Sequence, residues 1–384
     1  MRSELNEKTL TLFLEGELNS YNAENVEKEI DDTLAGKTFD KLQLDFSRLS
    51  YISSAGLRII LKLKQKYNDV SVIETSLEVY DVFSMTGFTN IMTVKKALRR
   101  VYISGAQVVG EGYYSTVYRI DKDTIIKVFN RVNDPDQIER ELKLAKQAFM
   151  LGIPTAISFD IVRVDDKLGV CFEMLDCKSL KEMFVEHPER MDEFVTKYAA
   201  LLKQMNTTEC LDPNIPNKKA EFVAKIDKIK QFLPEESYLK AKKLIENLPE
   251  RQTLIHGDCH FKNIMVQNDE LLLIDMDTLS VGYPIFEVAA LYFAYRGFNE
   301  DEPDNSIKFF GIPEVQATAL YNNLMNKYFG KDDPVIKDKI RLVAYIQMLR
   351  WTTNNEPENK VRYENVRARL IDLLSKIDDL DIGL

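Results

Sequence analysis

Three histidines occur in 384 residues, and two of them, His256 and His260, flank Asp258 in the stretch LIHGDCHFKNIMV at 254–266. A His pair spaced by four can hold zinc when a helix presents both rings on one face. Gly257 inside the stretch disfavours that helix, and no downstream Cys or His supplies a third ligand. Two buried structural histidines would account for the rings but leave Asp258 and Asn263 without a role. Phosphoryl transfer uses every residue. It needs an acceptor hydroxyl held in line, Mg2+ to neutralise phosphate charge and a lysine to position the phosphates. Asp258 would orient the hydroxyl and accept its proton. Asn263, together with Asp275 at the end of the apolar run LLLIDMD, would ligate Mg2+ through oxygen. His256 and His260 would shape the loop by hydrogen bonds, and Asp277 would assist the metal or hold the loop.

Such a loop needs elements that bring a nucleotide to it. Asp258 and Asn263 have the spacing of Asp and Asn in the kinase catalytic loop H-R-D-x-x-x-x-N. Upstream, VVGEGYYSTVYRI reads as strand, glycine turn and strand, with Gly110, Gly112, Ser115 and Val117 fitting G-x-G-x-x-[GS]-x-V. Glycines let a backbone turn tightly over phosphates with no Cβ in the way. The strand TIIKVFN follows, carrying Lys127 in the place of an ATP-contacting lysine. NDPDQIERELKLAKQAFMLGIP predicts a helix with Asp134 as N-cap, Pro135 in the first turn, and Gly152 and Pro154 ending it. Ile138, Leu142, Ala145 and Phe149 form its expected apolar stripe. Glu141 beside that stripe is expected to reach Lys127, with Glu139 as competitor. The strand LGVCFEMLDCKSL leads into a connector over 173–176, where backbone groups around Glu173 and Leu175 would bond adenine.

The first hundred residues alternate strand and helix signals. TLTLFLEG puts Leu10, Leu12 and Leu14 on one face at period two. Val26, Ile30 and Leu34 share a helical face that Gly36 stops. KLQLDFS alternates again through Leu42, Leu44 and Phe46, and SSAGLRIILKLKQKY predicts a helix with Leu57, Ile60 and Leu61 on one side. VSVIE is a short strand, and SLEVYDVFSMTGFTNIMTV gives a helix, a stop at Gly87 and a last strand. The expectation is a small α/β domain over 1–102.

LDFSRLSYISSAGLRIILKLK followed by VYDVFSMTGFTNIMTV resembles the STAS domain of anti-sigma-factor antagonists over nearly all of residues 5–100. The resemblance implies an acceptor serine at the helix start, where free N–H groups and the helix dipole suit a phosphate. Here the residue before Gly-Leu is Ala55, and Ser54 stands one place earlier as the candidate phosphosite. A helix cap is the alternative. The domain is expected to bind a protein partner or regulate its neighbour.

The motifs from the glycine turn to I-D-M-D, in order over 108–277, resemble the aminoglycoside phosphotransferase and choline-kinase group, which has a protein-kinase-like fold. The resemblance implies a two-lobed α+β domain over 103–384, with an N-lobe of about 103–175 and a C-lobe of about 176–384. It also implies ATP and Mg2+ as cofactors. Members often continue with Gly-Asp-Pro and a later Asp, where this chain has GYPIFEVAAL with Tyr283 and Glu287. Acidic pockets in that group suit cationic substrates. NEDEPDNS at 299–306 concentrates acid, but charge runs usually face water. Trp351, the single tryptophan, would stack on a cationic or planar substrate or lie in the core.

Composition narrows the partners. A net charge of −10 offers no basic surplus to replace phosphate counterions, so no nucleic-acid partner is expected. The N-terminus MRSELNEKTL has no apolar signal core, no run approaches the ~20 apolar residues of a membrane span, and FEVAALYFAY reads as a buried helix. Four cysteines without C-x-x-C spacing read as reduced thiols in a cytoplasmic protein. The favoured reading is transfer of the γ-phosphoryl group of ATP to a hydroxyl of a small molecule. The alternatives are a protein serine kinase and a nucleotide-binding signalling protein in an anti-sigma-factor circuit.

Overall fold

The structure, a computed structural model, describes residues 1–111, 115–130, 135–175 and 177–383. Gly112, Asp134 and Asp176 therefore lie outside the described residues. The chain forms two compact units, residues 1–102 with 162–166, and residues 103–161 with 167–384.

The first unit opens with β1 (Arg2–Asn6) and β2 (Thr9–Leu18), paired antiparallel. Then α1 (Ala23–Leu34), β3 (Lys41–Ile52), α2 (Ser54–Lys66), β4 (Val70–Thr75), α3 (Leu77–Met85) and β5 (Thr93–Lys96) follow in alternation. The sheet order is β1-β2-β3-β4-β5, with β2 through β5 parallel. Parallel neighbours require crossovers, which the three helices supply. Leu10, Leu12, Leu14, Leu42, Leu44 and Phe46 are buried on the expected face. On α2 the stripe is wider than predicted: Ile59 and Leu63 are buried with Leu57 and Ile60, while Leu61 is only half-buried. A helix covering a sheet buries an arc broader than one row.

The start of α2 has its own logic. Ser53 is the N-cap, and its hydroxyl accepts from Gly56 N at 3.4 Å. Ser54 is the first helical residue and is exposed. Gly56 is required sterically, because a Cβ there would sit 2.7 Å from Leu18 Cγ and 2.8 Å from Ile52 Cγ1. Gly56→Ala is therefore expected to lower the stability of this unit by about 1–3 kcal/mol through overpacking. Calorimetric unfolding of the full chain checks this as a downward shift of one transition.

After β6 (Arg99–Arg100), the second unit begins with a sheet of β7 (Gln107–Glu111), β8 (Ser115–Arg119), β9 (Thr124–Phe129), β10 (Ser158–Val164) and β11 (Lys167–Glu173), in the order β10-β11-β9-β8-β7. Between β9 and β10 runs α4 (Pro135–Met150), stopped by Gly152 at φ +81°. Its buried residues include Ile138, Leu142, Leu144, Ala145 and Ala148, whereas Phe149, expected in the stripe, is 47% exposed. The true period of 3.6 carries the buried face to Ala148 by the last turn.

The C-lobe follows with β12 (Lys178–Ser179), α5 (Leu180–Glu186), α6 (Met191–Thr207), α7 (Lys218–Ile229) and α8 (Glu235–Glu246). Short strands β13 (Leu254–Ile255), β14 (Ile264–Gln267), β15 (Glu270–Leu273) and β16 (Ser280–Val281) carry the site loops. Helices α9 (Ile285–Tyr295), α10 (Asn305–Phe310), α11 (Glu314–Phe329), α12 (Pro334–Asn355) and α13 (Lys360–Lys376) complete it. Helix α9 is buried along nearly its whole length, as its composition predicts. Among the described residues no helix is long and apolar enough to cross a membrane.

Candidate active site

Two hairpin-like connections build the site. The segment between β13 and β14 carries His256 to Asn263, and the segment between β15 and β16 carries Asp275 and Asp277. The strands hold the two in register: β13 pairs with β16 and β14 with β15. Ile274 N also donates to Asn263 O at 3.0 Å, tying one loop to the other.

His256 is fully buried and both ring nitrogens are used. Nε2 lies 3.1 Å from Ile274 O, an acceptor only, so it carries the proton; Nδ1 then accepts from Asp258 N at 3.3 Å. Burial lowers its pKa and keeps the ring neutral. His260 Nε2 lies 3.6 Å from Asp258 Oδ1, its Nδ1 has no hydrogen-bond partner among the described residues, and its ring edge meets Phe309 and Phe310. Burial pushes its pKa down to about 4. The two rings thus serve separate contacts and do not converge on one ion.

Asp258 and Asn263 are in direct contact. Asn263 Nδ2 donates to Asp258 O at 3.0 Å and to Asp258 Oδ2 at 3.2 Å. With its amide nitrogen so spent, Asn263 has its carbonyl oxygen without a hydrogen-bond donor among the described residues. Desolvation lifts the Asp258 carboxyl to about 6; the Asp275 charge adds to this, and His256 and Asn263 oppose it. The side chain nevertheless keeps 48% of its surface, so water screens part of the effect. A base with that pKa is ionised at pH 7.5 and protonated in acid. Transfer is expected to fall as pH drops through about 6, with nucleotide affinity lacking that limb. Rate and binding profiles over pH 5–8 check it.

Lys127 Nζ sits between Glu141 Oε1 at 2.9 Å and Asp275 Oδ1 at 2.7 Å. Burial alone would lower the ammonium's pKa, but Asp275 and Glu141 outweigh it and the net shift is upward. Glu139, the competitor, pairs instead with Lys143 at 2.9 Å. Asp275 adopts φ 66°, ψ 64°, a left-handed conformation that Asp tolerates better than most residues. Burial would raise its pKa, but Lys127 outweighs that and the net shift is downward. Asp277 has no cationic partner within 4 Å among the described residues, and burial with the Asp275 and Glu141 charges lifts it to about 7. Glu141 and Asp275 thus share one lysine, and Asp277 lies near enough for their charges to act on it. Hard oxygen donors with excess negative charge suit Mg2+, which takes few protein ligands and completes its shell with water and phosphate.

The remaining expected residues occupy the N-lobe. Gly110 pairs with Val117 across β7 and β8, and Ser115 is buried opposite Phe129. In the connector, Met174 N donates to Asp123 O at 2.8 Å and Glu173 Oε1 accepts from Ile157 N at 3.2 Å. Leu175 N has no protein acceptor among the described residues.

Glu287 has a role that the sequence motif alone did not reveal. It is fully buried in α9 and accepts from His256 N at 2.6 Å and Gly257 N at 3.3 Å. Its position where the group has a second Asp was the available signal. Burial lifts its pKa to about 7, against those hydrogen bonds. Glu287→Ala would orphan two donors at ~1–3 kcal/mol each. It is expected to cut both melting temperature and transfer, while Glu287→Gln retains most of each. Paired melting and rate measurements on the two variants check this. Gly257 completes the loop at φ +82°, which an L side chain rarely adopts.

A family model described as the phosphotransferase enzyme family matches residues 105–314, more than half of the chain. The chain belongs to the phosphotransferase enzyme family. A STAS domain model matches residues 1–101 of this phosphotransferase. Over 89 residues it is 39% identical to BtrV of Bordetella bronchiseptica, described provisionally as an anti-sigma factor antagonist, covering 22% of this chain and 76% of that protein. Among solved structures, a choline/ethanolamine kinase family protein from Mesorhizobium loti is 13% identical, with 72% of this chain and 89% of that chain covered and a TM-score of 0.46. The ADP-bound aminoglycoside phosphotransferase APH(2″)-Ib is 16% identical, with 70% and 93% covered and a TM-score of 0.47.

On the substrate side the acidic run is corrected, whereas Trp351 takes its core alternative. The acidic run is neither open to a cationic ligand nor simply solvated. Glu300 accepts from Tyr345 Oη at 2.7 Å and lies 3.0 Å from Arg369. Asp301 meets Arg369 at 2.6 Å, and Glu302 pairs with Arg362 and Lys308. The run is a clamp onto α13. Trp351 packs against Phe298 and Phe293 at 4.9 and 6.4 Å between ring centroids.

Proposed function

We propose that the phosphotransferase moves the γ-phosphoryl group of ATP to a hydroxyl of a small molecule. The observation that carries this reading is the convergence of the Lys127–Glu141 and Lys127–Asp275 pairs with the Asp258–Asn263 pair on two adjoining loops. Lys127, held by Glu141, positions the phosphates. The Leu175 N–H bonds the base. Asn263 and Asp275 would hold Mg2+, which when bound neutralises phosphate charge. Asp258 orients the acceptor hydroxyl and takes its proton as the new O–P bond forms. The bond from the γ-phosphorus to the β,γ-bridging oxygen breaks, and ADP leaves with that electron pair. Asp277 and the two histidines keep the loops in place.

The STAS domain is read as a regulatory or partner-binding module, with Ser54 exposed at the start of α2 as its candidate modification point. The test is to incubate the full chain with Mg2+ and γ-labelled ATP, with and without a small-molecule cell extract. Label in a new small compound is the expected result. Label on Ser54 or another serine of the chain would replace this reading with a protein kinase. ATP binding without any transfer would replace it with a nucleotide-binding scaffold.

A further inference from the structure

Beside the catalytic loop stands a group of cations that none of the roles above uses. Lys218, the first residue of α7, is buried. Its stem runs along Gly282, where an added Cβ would meet Lys218 Cβ at 3.0 Å. Its head reaches Gly257, the residue before Asp258, where an added Cβ would meet Lys218 Nζ at 3.1 Å. Lys218, Glu221, Phe222 and Lys225 follow at i, i+3, i+4 and i+7, one face of the helix. Phe222 is fully buried against Phe286 and forms the floor, and Lys225 Nζ lies 4.5 Å from its ring centroid. The charge of Arg350 of α12 reaches Lys225, and its Nη2 donates to Asn354 Oδ1 at 3.0 Å.

The charge balance of this group is uneven. Glu221 pairs with Lys218 at 3.2 Å, and the Asp258 and Glu287 carboxylates also lie near enough to act on Lys218. Among the described residues neither Lys225 nor Arg350 has a carboxylate within 4 Å. Burial first, then the Lys218 and Arg350 charges, push the Lys225 ammonium down to about 8, with Glu221 opposing. Lys225 and Arg350, neither with a close carboxylate, stand out in a chain of net charge −10. They cost stability through mutual repulsion, which an anionic ligand would relieve. Lys218, against the residue before Asp258, joins this face to the loop and sets where that ligand sits relative to the transferred group. The acids at 299–306, which would suit a cationic acceptor, are already paired with Arg362, Arg369 and Lys308.

We propose that Lys218, Lys225 and Arg350 form an acceptor subsite for an anionic group, so that the alcohol phosphorylated by this enzyme itself bears a carboxylate or a phosphate ester. The proposal rests on the phosphotransferase reading for its account of what is bound, though the anion site can be measured without turnover. A choline-like or aminoglycoside acceptor would meet like charge at this face.

The test is calorimetric titration of the full chain, first with Mg2+ and ADP and then with probe alcohols of three kinds. Glycerate, glycerol 3-phosphate and 3-phosphoglycerate are the anionic probes, glycerol and glucose the neutral ones, choline and kanamycin the cationic ones. At least one anionic probe is expected to bind more tightly than every neutral or cationic probe. Lys225→Met and Arg350→Gln are each expected to weaken that binding ~10-fold or more, with ADP affinity and melting temperature unchanged. Glycerate set against the two phosphates separates a carboxylate from a phosphate requirement. Tighter binding of a neutral or cationic probe, no binding of any anionic probe, or anionic binding indifferent to both substitutions would overturn the proposal. Failure of ADP to bind, with Lys225-dependent anion binding intact, would sink the phosphotransferase reading and leave the anion site standing.

Discussion

Asp258→Ala is expected to reduce phosphoryl transfer by roughly 10²–10⁴-fold, the range for a removed general base, while leaving Mg2+-dependent ADP affinity unchanged. The separation of the two effects follows from geometry. The carboxylate is partly exposed and is not buried structure, so its loss opens no core cavity. Asn263 loses one of its two acceptors, Asp258 Oδ2, but keeps the backbone carbonyl of residue 258 at 3.0 Å. The amide of Asn263 therefore keeps its orientation, with its carbonyl oxygen free for the proposed Mg2+. The other fixed points of the loop, His256 to Ile274 O and Glu287 to His256 N, do not involve the Asp258 carboxylate. Removal of a negative charge near the phosphates also does nothing to weaken nucleotide binding. Single-turnover transfer and ADP titration on the same preparation read the two quantities separately. Transfer that survives the substitution would remove Asp258 from the role of base.

Asp275→Asn is expected to behave in the opposite way. It should abolish the Mg2+-dependent part of ADP affinity and reduce transfer by roughly 10²-fold or more, since the ion's charge stabilisation is lost along with its ligand. Asn is the informative replacement, because it tolerates the left-handed backbone at φ 66° that alanine would strain. Lys127 keeps Glu141 at 2.9 Å, so the ammonium is not left alone. The variant also relieves repulsion on Asp258 and Asp277, both of which the Asp275 charge pushes upward. That relief is set against loss of the Lys127–Asp275 ion pair, which holds the Asp275 carboxyl below its ordinary value, so the melting temperature is expected to hold or fall at neutral pH. ADP titrations with Mg2+ and with EDTA, alongside melting curves, check both halves. An unchanged Mg2+ dependence would reassign the metal ligand.

The sequence by itself determined the two family resemblances and the order of motifs, and it named most of the residues proposed for the site. Strand alternation and helix periodicity are local, so Leu10, Leu12 and Leu14 or the apolar length of α9 announce their burial before any partner is known. The catalytic loop is equally local: Asp258 and Asn263 touch because a short turn closes between them. What required the tertiary structure was every choice made by residues far apart in the chain. Glu141 rather than Glu139 took Lys127 because the face of α4 toward β9 is set by packing. Asp275 reaches the same lysine across 148 residues. Glu287 became the anchor of the loop because α9 lies buried beneath it. The acids at 299–306 were claimed by arginines of α13, 60 or more residues later. The lysines of α7 gained meaning only when Gly257 was found against Lys218. Composition counts charges, but convergence in space decides which of them remain for a ligand.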